Sequence, residues 1–223
     1  MAPFGTFYTY PQNFRVQRAK AVAALNGLEV VEDPNFKFRE TNASPEYLAK
    51  FPLGKVPGFE TADGFCLAES AAIARFLAAS GPKAAQLLGA DVKTAAKIDE
   101  WVFFEEAELV GNLIPLLLMA VLGLRPFDQG LYDMHVANFE RALRRVEVGL
   151  EGGRRFLVGD KVTLADVMVG GALFFAGKFL MDSEMRGTVA PSVEGYLRGL
   201  LEVPEVGGAF GELVLCEARK KPE

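Results

Sequence analysis

The chain has 223 residues, of which 50% are hydrophobic and 24% are charged, and its formal net charge is −5. This composition supplies enough apolar surface for one or two ordinary cores and excludes an intrinsically disordered chain. Lys and Arg are spread along the sequence, so no basic stripe predicts a nucleic-acid partner.

The cysteines and the N-terminus bear on redox state, metal binding and location. Cys66 and Cys216 are far apart, and no histidine or further cysteine stands at metal-ligand spacing from them. This argues against a disulfide framework and a zinc site, and we expect no bound metal. The first five residues lack a basic region followed by an apolar run, and the longest apolar stretch, residues 113–122, is interrupted by Pro115. We therefore expect no signal peptide, no membrane span and a reducing, cytoplasmic location.

Strand and helix signals alternate over the first 50 residues. Residues 6–10 (TFYTY) predict a strand, and helical spacing of apolar residues from Phe14 to the stop signal Asn26-Gly27 predicts a helix. Residues 28–31 predict a second strand, and Ser44-Pro45 is typical of a helix N-terminus. Strand, helix, strand, helix in this order predicts a parallel strand pair.

A hairpin and a helix complete this half of the chain. Residues 55–60 and 65–67 predict two strands joined by a tight turn at 62–64, and residues 69–79 predict an amphipathic helix. Pro57 lies at the start of the first strand and has no N–H to donate to the sheet. The bond before a proline is the only kind of peptide bond that is commonly cis, so the Val56-Pro57 bond is a candidate. The whole half has the order βαβ followed by ββα.

Helical signals dominate after the break at Ser80-Gly81-Pro82, which predicts a first domain over residues 1–80, a linker over 81–90 and a helical domain over 91–223. Helices are predicted over residues 91–119, with a disturbance near Pro115, over 126–150, over 167–180, and after Pro191 and Pro204. Thr163 and Asp166 have the spacing of a capping box ahead of the third of these helices. The basic tail, residues 219–223, is expected to fray.

A short signature in the first half is recognisable. Residues 54–57 (GKVP), followed about a dozen positions later by Glu69-Ser70, resemble the glutathione-binding signature of cytosolic glutathione transferases. The likeness is closer to the glutathione-transferase-like N-terminal region of the gamma subunit of translation elongation factor one. It is carried by residues 7–15 (FYTYPQNFR), 41–46 (TNASPE), 63–66 (DGFC), 156–159 (FLVG) and 211–217 (GELVLCE). The resemblance implies a glutathione transferase fold, with a thioredoxin-like domain ahead of an all-helical one.

The resemblance also implies a set of glutathione-binding residues. Val56, before the cis Pro57, would pair its backbone with the cysteinyl part of the tripeptide, as in strand addition. Glu69 would hold the γ-glutamyl ammonium, and Ser70 with the helix N-terminus would hold the neighbouring carboxylate. Lys55 would reach the glycyl carboxylate, with Asn42 assisting. Glutathione would then be a co-substrate.

The residue that stabilises the glutathione thiolate is less sharply defined. A transferase of this kind uses Ser, Tyr or Cys just after the first strand, and none stands cleanly in that place. The local candidates are Tyr8, Tyr10, Gln12 and Asn13, and we favour Asn13, with Arg15 as electrostatic support. His135 lies in the middle of a predicted helix and has no Ser, Cys or carboxylate at the spacing of a catalytic pair. Cys66 lies in a predicted buried strand, so neither residue is expected to be catalytic.

Two functions are compatible with this sequence. The first is conjugation of glutathione to a small electrophile bound against the helical half, by a homodimer as is usual in the family. The second is a non-catalytic or weakly catalytic scaffold that docks translation elongation factor subunits, and the missing Ser or Tyr favours it. The retained glutathione signature, Lys55, Val56-Pro57 and Glu69-Ser70, favours the first.

Overall fold

The computed structural model describes residues 2–221, and a four-stranded mixed sheet forms the centre of its first half. The strand order is β2-β1-β3-β4, with bounds β1 Gly5–Tyr8, β2 Val30–Glu32, β3 Gly58–Thr61 and β4 Cys66–Leu67. The pair β1 and β2 is parallel, as predicted, and the other two pairs are antiparallel. Phe7 lies opposite Phe59 in the register of β1 and β3, and both rings are fully buried.

The helices of this half are α1 Phe14–Leu25, α2 Pro45–Lys50 and α3 Ser70–Ala79, and Thr41–Ala43 form a 3₁₀ turn. The Asn13 side chain caps α1 and the Ser44 side chain caps α2, so local polar residues set where both helices begin. The predicted strand over residues 6–10 extends too far, because the ladder ends at Tyr8. The predicted strand over 55–60 starts too early, because pairing begins at Gly58, after the proline that has no N–H to donate.

The second half is helical. A continuous helical segment comprises α5 Val92–Phe104, a π-helical turn Glu105–Val110, α6 Gly111–Leu116 and a second π-helical turn Leu117–Val121. Pro115 lies inside α6, near the predicted disturbance. The remaining helices are α7 Gln129–Gly149, α8 Leu164–Gly177, α9 Ser183–Thr188, α10 Val193–Leu201 and α11 Pro204–Phe210. The α/β plus all-α class predicted from the sequence is confirmed.

Three details differ from the sequence-based expectations. Helix α4 (Ala84–Leu88) lies within the segment predicted as a linker, and α9 was not predicted. The domain boundaries themselves stay a prediction. The described part of the basic tail is held in place, because Arg219 Nε donates to Asp182 Oδ2 at 2.7 Å and the Lys220 N–H donates to the Phe179 carbonyl. Pro222 and Glu223 of that tail lie outside the described residues.

One hydrophobic core runs through both halves. Helix α8 lies at its centre with every residue except Phe175 buried, and α1 packs against α3, α8 and α11. The predicted capping box is confirmed at the start of α8, where Thr163 and Asp166 bond reciprocally. Within residues 2–221, no helix is both long and apolar enough to cross a membrane. This packing holds the ends of α1, α3 and the segment after α5 beside one another.

Candidate functional site

A cleft of about 790 Å³ opens between the sheet half and the helical half. The polar part of its wall comes mainly from the sheet half, with Glu106 from the π-helical turn after α5. The other part is apolar and includes residues of the segment after α5. The residues that line the cleft with polar side chains or with their backbone are Tyr10, Arg15, Asn42, Gly54, Lys55, Val56, Pro57, Glu69, Ser70 and Glu106. The residues that line it with apolar side chains are Phe38, Phe51, Pro52, Leu53, Ala68, Ile114 and Leu118.

All six residues expected to bind glutathione line this cleft: Asn42, Lys55, Val56, Pro57, Glu69 and Ser70. The structure thus brings together residues from three separate stretches of the sequence. Their individual roles stay predictions.

The Val56-Pro57 peptide bond is cis, and it presents an unused backbone edge to the cleft. Val56 is half-buried and precedes the first residue of β3 by two positions. Among residues 2–221, no backbone hydrogen bond involves the Val56 N–H or C=O. An extended peptide lying in the cleft can therefore take up both groups, as a strand does at a sheet edge.

The loop before this edge is fastened by side chains. Asn42 Nδ2 donates to the Gly54 carbonyl at 2.7 Å, while its Oδ1 accepts the Arg39 N–H at 2.6 Å. The Tyr47 hydroxyl donates to the Lys55 carbonyl at 2.6 Å, and burial raises the pKa of Tyr47 to about 12, so the hydroxyl keeps its proton. Asn42 has both polar ends engaged and shapes the loop, and Lys55 beside it is exposed.

Glu69 and Ser70 stand at the N-terminus of α3. Glu69 has φ = 65°, a left-handed conformation that is uncommon for a residue with a side chain, and its carboxylate makes no capping bond with the helix. Backbone strain of this kind is most often kept at functional sites. Ser70 is buried, and its hydroxyl accepts from Arg18 Nη2 at 3.2 Å and donates to Glu106 Oε1 at 3.1 Å.

A buried charge cluster lies directly behind Ser70. Arg18 Nη1 donates a hydrogen bond to Glu105 Oε1, and both residues have an exposed fraction of 0%. Arg18 Nη2 also reaches Glu106 Oε1 at 3.1 Å. Burial raises the pKa of the Glu105 carboxyl to about 8, against the opposing effect of the Arg18 charge. The sequence reasoning missed this cluster, although Arg18 stands four residues from both Phe14 and Val22, on the apolar face of α1.

The candidates for thiolate stabilisation divide into two groups. Tyr10 and Arg15 line the cleft, whereas Tyr8 and Asn13 do not. The Tyr8 hydroxyl donates to Glu60 Oε2 at 2.7 Å, and Asn13 is buried, with Oδ1 accepting the Arg15 N–H at 3.1 Å and Nδ2 donating to Thr9 at 3.1 Å. Asn13 is therefore occupied as the cap of α1.

Tyr10 and Arg15 both remain hydrogen-bond donors at neutral pH. Burial raises the pKa of Tyr10, so its hydroxyl remains a donor at neutral pH. Burial, and next the charge of Arg18, lower the pKa of Arg15, whose guanidinium lies 4.8 Å from the Phe14 ring. Arg15 has no ion-pair partner among the residues that the structure describes, although Glu105 and Glu106 act on it at longer range.

The other reactive residue types lie away from the cleft. His135 of α7 has its Nδ1 3.0 Å from Asn112 Oδ1, and burial lowers its pKa. Cys66 is only half-buried, which is more exposed than its predicted strand suggested, and burial raises the pKa of its thiol, so the thiolate is disfavoured. Over residues 2–221, no group of three His, Cys, Asp or Glu side chains has the arrangement of a metal site.

Comparison with known proteins follows the same division into halves. The family described as "Glutathione S-transferase, N-terminal domain" matches residues 3–79, and "Glutathione S-transferase, C-terminal domain" matches residues 129–199. The glutathione S-transferase-like protein LUC7 of Fusarium sp is 42% identical over the full length of both chains. Elongation factor 1-gamma of Equus caballus is 33% identical over 96% of this chain, which spans 48% of that protein's length.

A solved structure shows the same fold at low identity. The glutathione transferase URE2P6 from Phanerochaete chrysosporium, in complex with oxidized glutathione, superposes with a TM-score of 0.83 at 20% identity. The superposition covers 94% of this chain and 96% of that one.

Proposed function

Because the chain belongs to the glutathione S-transferase family, we propose that it binds glutathione in the cleft and transfers the glutathione sulfur to a small electrophile. One observation carries the proposal. The unused backbone edge at Val56 lies in the same cleft as Lys55 on one side and Glu69 with Ser70 on the other. A short peptide with a carboxylate at one end and an amino acid head at the other matches this arrangement.

The sulfur of such a peptide must lose its proton before it can attack. Lowering a thiol pKa from about 8.5 by about two units requires roughly 2.7 kcal/mol of preferential stabilisation of the thiolate. The protonated Tyr10 hydroxyl donates to the sulfur in this proposal, and the Arg15 charge favours the anion. Asn13 and Tyr8 stay predictions that the same experiment tests.

The transfer step forms a carbon–sulfur bond. The cysteinyl thiol loses its proton to solvent, and the thiolate electron pair attacks the electrophilic carbon, whose leaving group departs with the bonding pair. The cleft accelerates this step by holding both reactants close and by stabilising the thiolate. The apolar wall, with Phe38, Ile114 and Leu118, favours an apolar electrophile.

Titration with glutathione and a conjugation assay test the proposal. We expect saturable binding in the millimolar range or tighter, and a strong loss of affinity in Glu69→Ala. Glu46→Ala is a matched control, because Glu46 is also an acidic residue at the start of a helix but lies outside the cleft. Absence of saturable binding at millimolar glutathione would falsify the proposal.

The thiolate partner is identified by the pKa of bound glutathione, followed through the ultraviolet absorbance of the thiolate. We expect Tyr10→Phe and Arg15→Met to raise this pKa by about one unit each, which is the effect of one hydrogen bond or one nearby charge. Tyr8→Phe tests the other candidate tyrosine, and we expect it to leave this pKa unchanged. If Asn13→Ala alone raised the pKa, the assignment would pass back to Asn13.

A second function rests on the similarity to elongation factor 1-gamma over 96% of this chain. In this alternative the chain is a scaffold that docks elongation factor subunits and has little or no transferase activity. Capture of partners from a lysate separates the two functions. Retention of elongation factor subunits, together with glutathione binding and no conjugation, would favour the scaffold.

We also propose that the chain forms a homodimer. Two apolar side chains on α5 face solvent in the single chain, with Val92 85% and Phe103 72% exposed. Phe103→Asp should shift the sedimentation coefficient toward that of a monomer, whereas Val214→Asp, at another exposed apolar position, should not. An unchanged dimer in Phe103→Asp would place the interface elsewhere.

The location we propose is the cytoplasm. Cys66 and Cys216 are both free thiols, which fits a reducing compartment. Fluorescence microscopy of a tagged chain tests this, and a signal confined to an oxidising compartment would contradict it.

A further inference from the structure

The buried charge cluster connects the two halves of the molecule at the floor of the cleft. Arg18 comes from α1, Ser70 from the start of α3, and Glu105 with Glu106 from the π-helical turn after α5. The stem of Arg18 passes over Gly171 of α8, where a Cβ would collide with Arg18 Cγ and lie 2.7 Å from Cδ. The packing therefore leaves room for an arginine that reaches from one half to the other.

The hydrogen bonds of Ser70 have a fixed direction. Its oxygen accepts a hydrogen from Arg18 Nη2, and its own single hydrogen goes to Glu106 Oε1. The Arg18 guanidinium has no acceptor atom, so this polarity cannot reverse. Ser70 consequently acts as a donor toward the cleft. Its hydrogen goes either to the Glu106 carboxylate or to a carboxylate on a ligand.

We propose that Arg18 is a positioning residue that orients Ser70 and Glu106 to bind the amino acid head of glutathione. Glu106 lines the cleft together with Glu69, and its side chain is 32% exposed, so both carboxylates hold the ligand ammonium. The Ser70 hydrogen bond then switches from Glu106 to the ligand carboxylate. Glu105 holds the other arm of Arg18 and keeps the guanidinium in place. The inference rests on the proposed function in that the ligand is glutathione.

This exchange leaves neither Ser70 nor Glu106 without a partner. Glu106 gives up the Ser70 hydrogen and gains the ammonium, while Ser70 gains the ligand carboxylate. A ligand that lacks the α-amino group would leave Ser70 bonded to Glu106 and would lose both contacts. The cluster should therefore discriminate strongly against a glutathione analogue without that amino group.

A double-mutant cycle tests the inference with the full chain. Glutathione affinity is measured by titration calorimetry for wild type, Arg18→Lys, Ser70→Ala and the combined variant. Lysine keeps the charge beside Glu105 but has a single nitrogen, which cannot occupy the two positions held by Nη1 and Nη2. We expect each single variant to weaken binding about tenfold, the value of one charge-assisted hydrogen bond, and the combined variant to be no weaker than Ser70→Ala alone.

A second readout separates positioning from general support of the structure. Wild type should bind glutathione much more tightly than the analogue without the α-amino group, and Arg18→Lys should lose most of this preference. If Arg18→Lys fails to fold, the charge-balanced Arg18→Met/Glu105→Leu variant, which leaves no lone buried charge, replaces it in the cycle.

The outcomes distinguish the inference from the proposed function. Additive losses in the cycle, about a hundredfold in the combined variant, or an unchanged analogue preference would overturn the role of Arg18 and leave the transferase proposal intact. Coupled losses without any conjugation activity would support the role of Arg18 and overturn the transferase proposal. Wild-type protein that binds no glutathione would overturn both.

Discussion

Removal of the Asp166 side chain should cost a large part of the stability of the fold. Asp166 is completely buried, and its carboxylate accepts four hydrogen bonds: from the Leu157 N–H at 2.8 Å, the Thr163 N–H and Oγ1 at 2.9 Å each, and the Tyr196 hydroxyl at 3.2 Å. In Asp166→Ala the two backbone N–H groups stay buried without partners. Each such group costs about 1–3 kcal/mol, so the free energy of unfolding should fall by about 4 kcal/mol.

Urea unfolding followed by circular dichroism measures this loss. The matched control is Asp91→Ala, because Asp91 also caps a helix through the N–H groups of Lys93 and Thr94 but does so at the surface, where water replaces it. We expect about 1 kcal/mol for the control. If Asp166→Ala cost no more than Asp91→Ala, burial of the unpaired donors would not be the main cause of the lost stability.

Three further predictions concern groups that join elements. The pKa of Glu105 is about 8 in the folded protein against 4.5 ordinarily, so between these pH values the folded protein holds a proton that the unfolded chain releases. The free energy of unfolding should therefore fall as pH rises from about 4.5 to about 8. Urea unfolding at several pH values measures this dependence, and Glu105→Gln should make it weaker. Gly171→Ala should lower the free energy of unfolding by about 1–3 kcal/mol through its collision with Arg18, whereas Gly195→Ala, with open space around it in α10, should raise it by up to about 1 kcal/mol. Asn26→Ala, which loses two bonds to the carbonyls ending α3 and one from the following segment, should lower the melting temperature clearly, and an unchanged value would contradict the importance of these bonds.

Local sequence signals predicted most of the elements, and their failures have local causes. Helix α1 and the capping box of α8 follow from spacing and polar caps within a few residues. Helix α9 has six residues, of which only Met185 is buried, so its sequence has no helical repeat of apolar residues that could predict it. The π-helical turns were not predicted, because nothing in the local residue pattern separates a π turn from the α-helix around it.

The candidate site shows the same limit at longer range. Lys55, Val56, Pro57, Glu69 and Ser70 could be selected because they form a compact signature, and the structure places them along one cleft. That placement does not test their roles.

The groups behind the signature were beyond sequence reasoning. Glu106 lies 36 residues beyond Ser70 in the sequence and lines the cleft with it, whereas Arg18 belongs to α1 and contacts both side chains from behind the cleft wall. No sequence pattern near Arg18 or Glu106 indicates that the two side chains meet at Ser70. Only the packing of α1 against the helical half shows it.

Helix α1 packs on α8 and α11 as well as on α3, so the contact surface between the two halves does not coincide with any single cut along the chain. A fragment ending near residue 80 would expose the Arg18 stem and the apolar side of α1 to water. Calorimetry of the intact chain should accordingly give a single heat-absorption peak whose calorimetric and van't Hoff enthalpies agree. Chimaeras made by exchanging halves between relatives should fold only when α1 and the helices that it packs against come from the same parent.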